Sequence, residues 1–130
     1  MNRAEQLAQM TAKHRERIYE TADYIWTHPE TGYREWNTSA YLEKQFRELG
    51  YEPVLAENIP GFYADLDTGK PGPKVAILGE LDSLIVRNHP DANPETAAVY
   101  ACGHNAQCAT LIGVATAMEE PGDLDGMCGS

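Results

Sequence analysis

Two carboxylates two residues apart form the first candidate site in the sequence. Glu80 and Asp82 flank Leu81 and follow the continuous apolar run at residues 75–78. Side chains at positions i and i+2 of an extended chain point to the same side, so both carboxylates can face one crevice. Open α/β sheets bind ligands beyond the carboxyl ends of their strands, where this pair falls. The alternative is a strand end whose acids are merely solvated, and the pair alone leaves both interpretations open.

A cysteine and a histidine two residues apart form the second candidate site. The segment Cys102-Gly103-His104-Asn105 allows a thiolate and an imidazole to bind one metal ion if the backbone is extended there. Sulfur and nitrogen ligands suit Zn²⁺ and related transition metals. The N-terminus of the helix that follows would help to stabilise the thiolate. The ordinary alternative, a cysteine that is a small buried apolar side chain, also stays open on spacing alone.

The two segments are complementary in their chemistry. Carboxylates can bind or orient a metal ion, and sulfur and nitrogen can complete its ligand shell. Two metal ions in such a site could polarise an amide carbonyl and generate hydroxide. The sequence contains no Walker loop, no Gly-x-Ser-x-Gly and no His-Glu-x-x-His motif that would indicate a different chemistry.

Three helices are predicted to support these segments. Apolar residues spaced by three and four predict a helix over residues 3–27, which His28-Pro29 ends because a residue before proline disfavours the helical conformation. A second helix is predicted over residues 37–49, with Gly50 as its C-terminal stop. A third, over residues 105–118, is small or apolar nearly all round and is therefore expected to be buried, with Cys108 in the core.

Three strands are predicted between the second and third helices. Residues 51–55 contain Pro53 and can form only an edge strand. Residues 61–66 and 74–81 flank a turn-rich segment and are expected to pair as a hairpin, the latter as a central strand covered on both faces. Residues 85–96 are predicted to be a loop. The predicted fold class is therefore α/β, with helices packed on a mixed, partly parallel sheet.

The composition of the chain excludes several classes of partner. Its 130 residues include 20 acidic and 10 basic side chains, for a net charge of −10. Nucleic acids and anionic membranes require clustered lysine and arginine, so we expect neither as a partner. The length is that of one domain, and residues 96–118, although uncharged, are too polar near their middle to span a membrane.

The location of the protein is predicted from its first residues and its cysteines. Residues 1–17 are charged and lack the apolar segment of a secretory signal. The three cysteines cannot all pair within one chain, which favours reduced thiols. We therefore expect a cytoplasmic protein.

Three segments, in the same order along the chain, resemble one family of enzymes. His28-Pro29-Glu30-Thr31-Gly32-Tyr33-Arg34-Glu35 is similar to the family's His-Pro-Glu-Leu-Gly-Phe-x-Glu. Glu80-Leu81-Asp82-Ser83-Leu84 resembles its Asp-Met-Asp-Ala-Leu, and Ala101-Cys102-Gly103-His104-Asn105 resembles its Ala-Cys-Gly-His-Asp. The family is that of the zinc-dependent amidohydrolases and carboxypeptidases, which includes hippurate hydrolase, indole-acetyl-amino-acid hydrolase, N-acyl-amino-acid amidohydrolases and the aminobenzoyl-glutamate hydrolase subunits.

The resemblance implies roles for the candidate residues. Cys102 and His104 are implied as metal ligands, and Asp82 as the acidic residue beside the metal, for which we expect a catalytic role. We add Glu80 as a further metal ligand because its carboxylate is expected to face the same crevice. The expected ion is Zn²⁺, with Mn²⁺ or Co²⁺ as alternatives, in a site that is incomplete in this chain.

The chain departs from the family in two residues and in length. Asn105 and Gln107 stand where many members have Asp and His. Family members have several hundred residues, which implies that residues 1–130 are the N-terminal part of one metallopeptidase-type catalytic domain. The family's later Glu-Glu pair is expected beyond this part, and Glu119-Glu120 lies upstream of where it belongs.

The sequence therefore predicts a metal-dependent amidohydrolase or peptidase, with this chain an incomplete and inactive portion. The expected partner is a small-molecule substrate whose amide bond is cleaved: an N-acyl amino acid, a small peptide or an aminobenzoyl-glutamate-like compound. A homodimer is left open. The alternative function is a non-catalytic metal-binding or oligomerising module derived from the same fold.

Overall fold

The computed structural model describes residues 2–119, in which helices form most of the regular structure and two short antiparallel sheets the rest. The fold is thus of the broad α/β kind and rich in helix. Glu120 and the side chain of Glu119 lie outside the described part. The helices are α1 (Arg3–Lys13), α2 (Arg15–Thr27), α3 (Trp36–Glu48) and α4 (His104–Glu119), and the strands are β1 (Val54–Leu55), β2 (Phe62–Tyr63), β3 (Leu84–Ile85) and β4 (Ala98–Val99).

The helix predicted over residues 3–27 is two helices, because His14 leaves the helical conformation with φ −100° and ψ 17°. Asn2 caps the first of them. Its side chain accepts a hydrogen bond from the backbone N–H of Glu5 at 2.9 Å, and the Glu5 carboxylate accepts one from the N–H of Asn2 at 3.0 Å. Both α1 and α2 pack on α4, which explains why the apolar spacing continues across the break.

Helix α4 lies at the centre of the described residues. Cys108 and Ile112 on α4 are fully buried and pack with Ile25 of α2, Leu42 of α3 and Tyr100. The burial predicted for Cys108 is confirmed, and α4 is buried or half-buried over residues 111–118, whereas Ala106, Gln107 and Thr110 near its start are exposed. No helix within residues 2–119 is long and apolar enough to cross a membrane.

Helix α3 is capped by a residue that precedes it by several positions. The Glu30 carboxylate accepts hydrogen bonds from the backbone N–H groups of Asn37 at 3.2 Å and Thr38 at 2.6 Å, which are among the donors that a helix start leaves unpaired. The helix ends before Gly50, which has φ +92° and provides the predicted stop. Glu30 thereby joins the segment before α3 to the first turn of that helix.

The predicted hairpin between residues 61–66 and 74–81 is wrong. Strand β2 instead pairs antiparallel with β1, with Val54 opposite Tyr63. The turn between these strands closes tightly because the N–H of Ala56 donates to the carbonyl of Gly61 at 3.0 Å, and Gly61 has φ +132°, which favours glycine. Strand β2 therefore pairs with the strand that precedes it in the sequence, and not with the residues that follow it.

Residues 74–81 are not a strand, which corrects the predicted central strand. A strand requires a neighbour that pairs with its N–H and C=O groups, and the described residues provide none for this run. Val75, Ile77 and Leu78 are consequently 70%, 60% and 84% exposed.

The predicted mixed sheet is likewise not formed within residues 2–119. The loop predicted over residues 85–96 lies, apart from Ile85 of β3, in the connection of a second antiparallel hairpin, β3–β4, in which Leu84 pairs with Val99. The parallel pairing among the described residues is limited to one isolated bridge between Thr31 and Ser83. That bridge joins the segment before α3 to the segment that carries the two carboxylates.

Candidate metal centre

The two segments singled out in the sequence meet at the imidazole ring of His104, the first residue of α4. Its Nε2 lies 3.0 Å from Glu80 Oε2, and its Nδ1 lies 3.1 Å from Asp82 Oδ1. The ring is 20% exposed, whereas the Glu80 and Asp82 side chains are 63% and 40% exposed. The structure thus brings these three residues together at a point that solvent and small ligands can reach.

Both ring nitrogens of His104 face oxygen atoms. Nδ1 lies 2.9 Å from the main-chain oxygen of Asp82, which can only accept, and near the same residue's carboxylate. Nε2 lies 3.0 Å from the Glu80 carboxylate, so each nitrogen has an oxygen within hydrogen-bond distance. Histidines that bind metals usually donate the other ring N–H to a carboxylate or a backbone carbonyl, and His104 has both kinds of acceptor.

Cys102 lies at the edge of this group. Its thiol is exposed, and its Sγ is 3.7 Å from the main-chain oxygen of Asp82. Gly103 has φ +88°, a conformation that side chains rarely adopt, and it turns the chain from Cys102 into α4. The thiol therefore contacts the backbone of the carboxylate segment and remains open to solvent.

The donor atoms suit Zn²⁺ in kind, since thiolate, imidazole and carboxylate are its usual protein ligands. Their number is too small for a complete site. Residues 2–119 contain no group of three His, Cys, Asp or Glu side chains arranged to hold a metal ion. The residues present can supply part of a ligand shell and require others to complete it.

The first turns of α4 hold the carboxylate segment through its backbone. The N–H of Glu80 donates to Gln107 Oε1 at 2.6 Å, and the carbonyl of Glu80 accepts from the Cys108 thiol at 3.1 Å. Burial raises the pKa of Cys108 to about 12, so this thiol keeps its proton and acts as a donor. Cys108 therefore supports the site from the core and is not a candidate ligand.

The opposite side of the carboxylate segment is held by Tyr100 and Glu30. The Tyr100 hydroxyl donates to the carbonyl of Leu81 at 2.7 Å, and the N–H of Ser83 donates to the carbonyl of Glu30 at 2.8 Å. Burial raises the pKa of Tyr100 to about 12, so its phenol is protonated and able to donate. The backbone of residues 80–83 is thus hydrogen-bonded to several other parts of the molecule.

The supporting residues differ in how strongly the sequence indicates them. Gln107 lies three positions after His104 on a helix, which places both on one face, and that spacing could have identified it. Glu30 lies in a segment that resembles the family, where no role was expected for it. Tyr100 carries no signal beyond an aromatic type, and Asn105 is turned away to donate to the carbonyl of Ala22 at 3.3 Å.

Comparison with known proteins gives several relatives that are named as hydrolases. The chain is 31% identical over 104 residues to thermostable carboxypeptidase 1 of Saccharolobus solfataricus, which covers 77% of this chain and 26% of that protein. It is 32% identical over 114 residues to a p-aminobenzoyl-glutamate hydrolase subunit of Escherichia coli, covering 82% of this chain and 23% of the relative. It is 27% identical over 103 residues to N-acetyl-L-cysteine deacetylase of Bacillus subtilis, covering 77% and 25%.

These matches extend over most of the chain and over about a quarter of each relative. No protein-family model and no solved structure matches the chain. The resemblance inferred from the three segments is confirmed by proteins whose names describe carboxypeptidases, deacetylases and amide hydrolases. The chain is therefore a relative of the amidohydrolase and carboxypeptidase group of hydrolases.

Proposed function

We propose that this chain supplies part of the active site of a metal-dependent amidohydrolase or metallopeptidase. The observation that carries the proposal is the His104 ring, whose Nδ1 faces Asp82 while Nε2 faces the exposed carboxylate of Glu80. In the proposed site Cys102, His104 and Glu80 are metal ligands and Asp82 has the catalytic role. The ion is Zn²⁺, or alternatively Mn²⁺ or Co²⁺.

The chain's own residues prepare the ligands. Asp82 presents its main-chain oxygen and its carboxylate to Nδ1 of His104, which orients the ring so that Nε2 faces Glu80. The exposed carboxylate of Glu80 and the exposed thiol of Cys102 can reach a ligand without movement of the core. When bound, a divalent ion supplies a Lewis acid that polarises an amide carbonyl and lowers the pKa of water.

The substrate class in this proposal comes from the printed names of the relatives. A carboxypeptidase, a p-aminobenzoyl-glutamate hydrolase and an N-acetyl-L-cysteine deacetylase each act, by name, on an amide or peptide bond next to an amino acid. We therefore infer an N-acyl amino acid, a small peptide or an aminobenzoyl-glutamate-like substrate. A cytoplasmic location and the absence of nucleic-acid and membrane partners are parts of the same proposal.

The complete fold is also a proposal. In a whole catalytic domain of metallopeptidase type, helices would pack on a mixed, partly parallel sheet, and residues 1–130 would be its N-terminal portion. The exposed apolar side chains of Val75, Ile77 and Leu78 support this, because burial against further strands would remove them from water. The chain spans about a quarter of its relatives and has fewer than three arranged ligands within residues 2–119, so alone it is expected to be inactive.

One observation favours a second function. The same exposed apolar run is typical of a surface that associates with other chains, so a non-catalytic module that binds metal or forms oligomers, including homodimers, is the alternative. Concentration-dependent association without metal uptake would favour the oligomerising form of that alternative.

Metal binding by the purified chain tests the proposal. Titration with Zn²⁺ and Co²⁺ is expected to show stoichiometric binding, with a thiolate-to-cobalt absorption band that Cys102→Ala removes. Since removing a supporting residue typically lowers metal affinity about 10–100-fold, removing the ligand itself in Cys102→Ala or His104→Ala should cost at least about 100-fold.

Two matched variants serve as controls. His89→Ala changes a histidine in the β3–β4 connection, and Cys128→Ala changes a cysteine outside the described residues; neither should alter the affinity. Unchanged metal binding in both Cys102→Ala and His104→Ala would contradict the proposed site. Amide hydrolysis by the purified chain with Zn²⁺, Mn²⁺ or Co²⁺ would contradict its expected inactivity.

A further inference from the structure

We propose that Tyr100 is a positioning residue for the carboxylate pair Glu80 and Asp82, acting through the main-chain oxygen of Leu81 that lies between them. The inference rests on the proposed function for its meaning, because the pair is that of the proposed metal centre. It concerns a residue to which neither the sequence motifs nor the expected chemistry assigned a role.

The contact that carries the proposal is a hydrogen bond from a buried tyrosine. Tyr100 is 1% exposed, and its hydroxyl donates to the carbonyl of Leu81 at 2.7 Å. Leu81 is not part of a strand, so no ladder of backbone hydrogen bonds fixes this carbonyl within residues 2–119. The peptide unit that joins Leu81 to Asp82 is planar, so holding its oxygen constrains the backbone torsions on both sides. Those torsions determine where the neighbouring carboxylates point.

The phenol also lies against the start of α3. The Thr38 hydroxyl donates its proton to Glu30 Oε1 at 2.6 Å and lies 3.4 Å from the Tyr100 oxygen, whose own proton goes to Leu81, so these two hydroxyls are in polar contact without a hydrogen bond between them. The carbonyl of Glu30 in turn accepts from the N–H of Ser83. Ser83 is therefore bonded directly to Glu30, and Tyr100, which holds Leu81, lies beside the Thr38 hydroxyl that donates to Glu30.

A second tyrosine separates positioning from ordinary stabilisation. The Tyr51 hydroxyl donates to the carbonyl of Ala115 at 2.7 Å, the same kind of hydrogen bond at the same length. Ala115 lies near the C-terminal end of α4, whereas the carboxylates meet α4 at its first residue. Tyr100→Phe and Tyr51→Phe therefore each remove one hydroxyl and one hydrogen bond to a backbone carbonyl. Only the carbonyl that Tyr100 holds, that of Leu81, lies next to the carboxylate pair.

The first measurement compares Zn²⁺ affinity and urea unfolding for the full chain and the two variants. We expect Tyr100→Phe to lower the affinity about tenfold, the lower end of the range for residues that orient metal ligands. Tyr51→Phe should leave the affinity within about twofold of that of the unaltered chain. Both variants should lower the urea midpoint by a similar amount, because each loses one hydrogen bond. The positioning role would be overturned if both variants kept the Zn²⁺ affinity of the unaltered chain, or if both lost the same amount of it.

A second measurement needs no metal. In long-range ¹H–¹⁵N spectra of the metal-free chain at fixed pH, Tyr100→Phe should shift both ring-nitrogen resonances of His104, and Tyr51→Phe should leave them unchanged. Absence of Zn²⁺ binding by the unaltered chain would overturn the proposed function, and the histidine spectra would still decide the positioning role. Normal Zn²⁺ binding with unshifted resonances in Tyr100→Phe would overturn positioning alone.

A milder pair of variants covers the case in which Tyr100→Phe fails to fold. Thr38→Val removes the hydroxyl that lies between Tyr100 and Glu30, and Thr38→Ser retains it. We expect Thr38→Val to shift the His104 resonances and lower Zn²⁺ affinity, and Thr38→Ser to restore both. Identical behaviour of the two Thr38 variants would overturn the proposed connection.

Discussion

Two adjacent stretches of the same segment contrast sharply in how they are held. Residues 80–83 have backbone hydrogen bonds to six partners: Gln107, Cys108, Tyr100, Glu30, Cys102 and His104. Residues 74–79 are in no strand, and their large apolar side chains are at least 60% exposed. Gly79 marks the boundary, since the next residue, Glu80, is the first whose backbone is bound by α4.

The contrast shows that the candidate site does not depend on a sheet. A strand normally fixes the side chains at its end by pairing along its whole length, but here side chains from α4 and from the residue after β4 hold the carboxylate segment directly. The stretch before it has no strand partner within residues 2–119 and leaves its apolar side chains in water. The site geometry and the burial of the apolar run are therefore separate problems for this chain.

The largest expected effect comes from replacing an isoleucine with alanine at two places, one in the core helix α4 and one in residues 74–79. Ile112 is fully buried in α4, whereas Ile77 is 60% exposed. Ile112→Ala should lower the free energy of unfolding by about 2–5 kcal/mol, because it leaves a cavity in the core. Ile77→Ala should change it by less than about 0.5 kcal/mol. Urea unfolding followed by circular dichroism measures both, and a cost above about 2 kcal/mol for Ile77→Ala would show that residues 74–79 are packed.

A smaller effect is expected at the boundary between the two stretches. A Cβ atom on Gly79 would overlap Leu111 Cδ1 and lie 3.2 Å from its Cγ. Gly79→Ala should therefore cost about 1–3 kcal/mol of stability, because Leu111 or the Glu80 backbone must move. The measurement is the free energy of unfolding from urea titration.

Two further variants make the boundary test specific. Gly32→Ala is the matched control, since the nearest atom to its Cβ is Glu35 Oε1 at 4.0 Å, and it should cost less than about 0.5 kcal/mol. In the double variant Gly79→Ala/Leu111→Ala the added methyl has space, so the two costs should not add. Additive costs would show that Leu111 does not limit the approach of α4 to this segment.

Elements that depend on residues close in the sequence were predicted well, and elements that depend on distant partners were not. The helices over residues 37–49 and 105–118 were predicted to within one residue at each end, because apolar spacing and a glycine stop act locally. The break at His14 was missed because its neighbours keep the apolar spacing. The strand at residues 74–81 was predicted from an apolar run alone, and a run of that kind becomes a strand only when a partner is present.

The candidate site divides in the same way. Residues with chemical character at short spacing, Glu80, Asp82, Cys102 and His104, could be identified without a structure. Their support could not, because Tyr100 and Glu30 reach the carboxylate segment from distant parts of the sequence and through hydrogen bonds that involve backbone carbonyls. A backbone acceptor has no sequence signature, so only the folded chain reveals which side chain meets it.

The smallest expected effect concerns the side-chain hydroxyl of Ser83, at the end of residues 80–83. Ser83 is 5% exposed, and its hydroxyl forms no hydrogen bond within residues 2–119. Ser39 is also buried, but its Oγ accepts from the N–H of Gly61 at 3.0 Å. Ser39→Ala should cost about 1 kcal/mol, whereas Ser83→Ala should be neutral or stabilise the chain by up to about 1 kcal/mol.

Urea unfolding of the two serine variants completes the comparison of the two stretches. Ser83 follows Asp82, so relief of an unsatisfied hydroxyl there would show that the carboxylate segment is held by its backbone and not by this side chain. A loss of about 1 kcal/mol or more in Ser83→Ala would instead reveal a hydrogen bond of the hydroxyl. The backbone bonds from Tyr100 and Glu30 would then be only part of what fixes Asp82 beside His104.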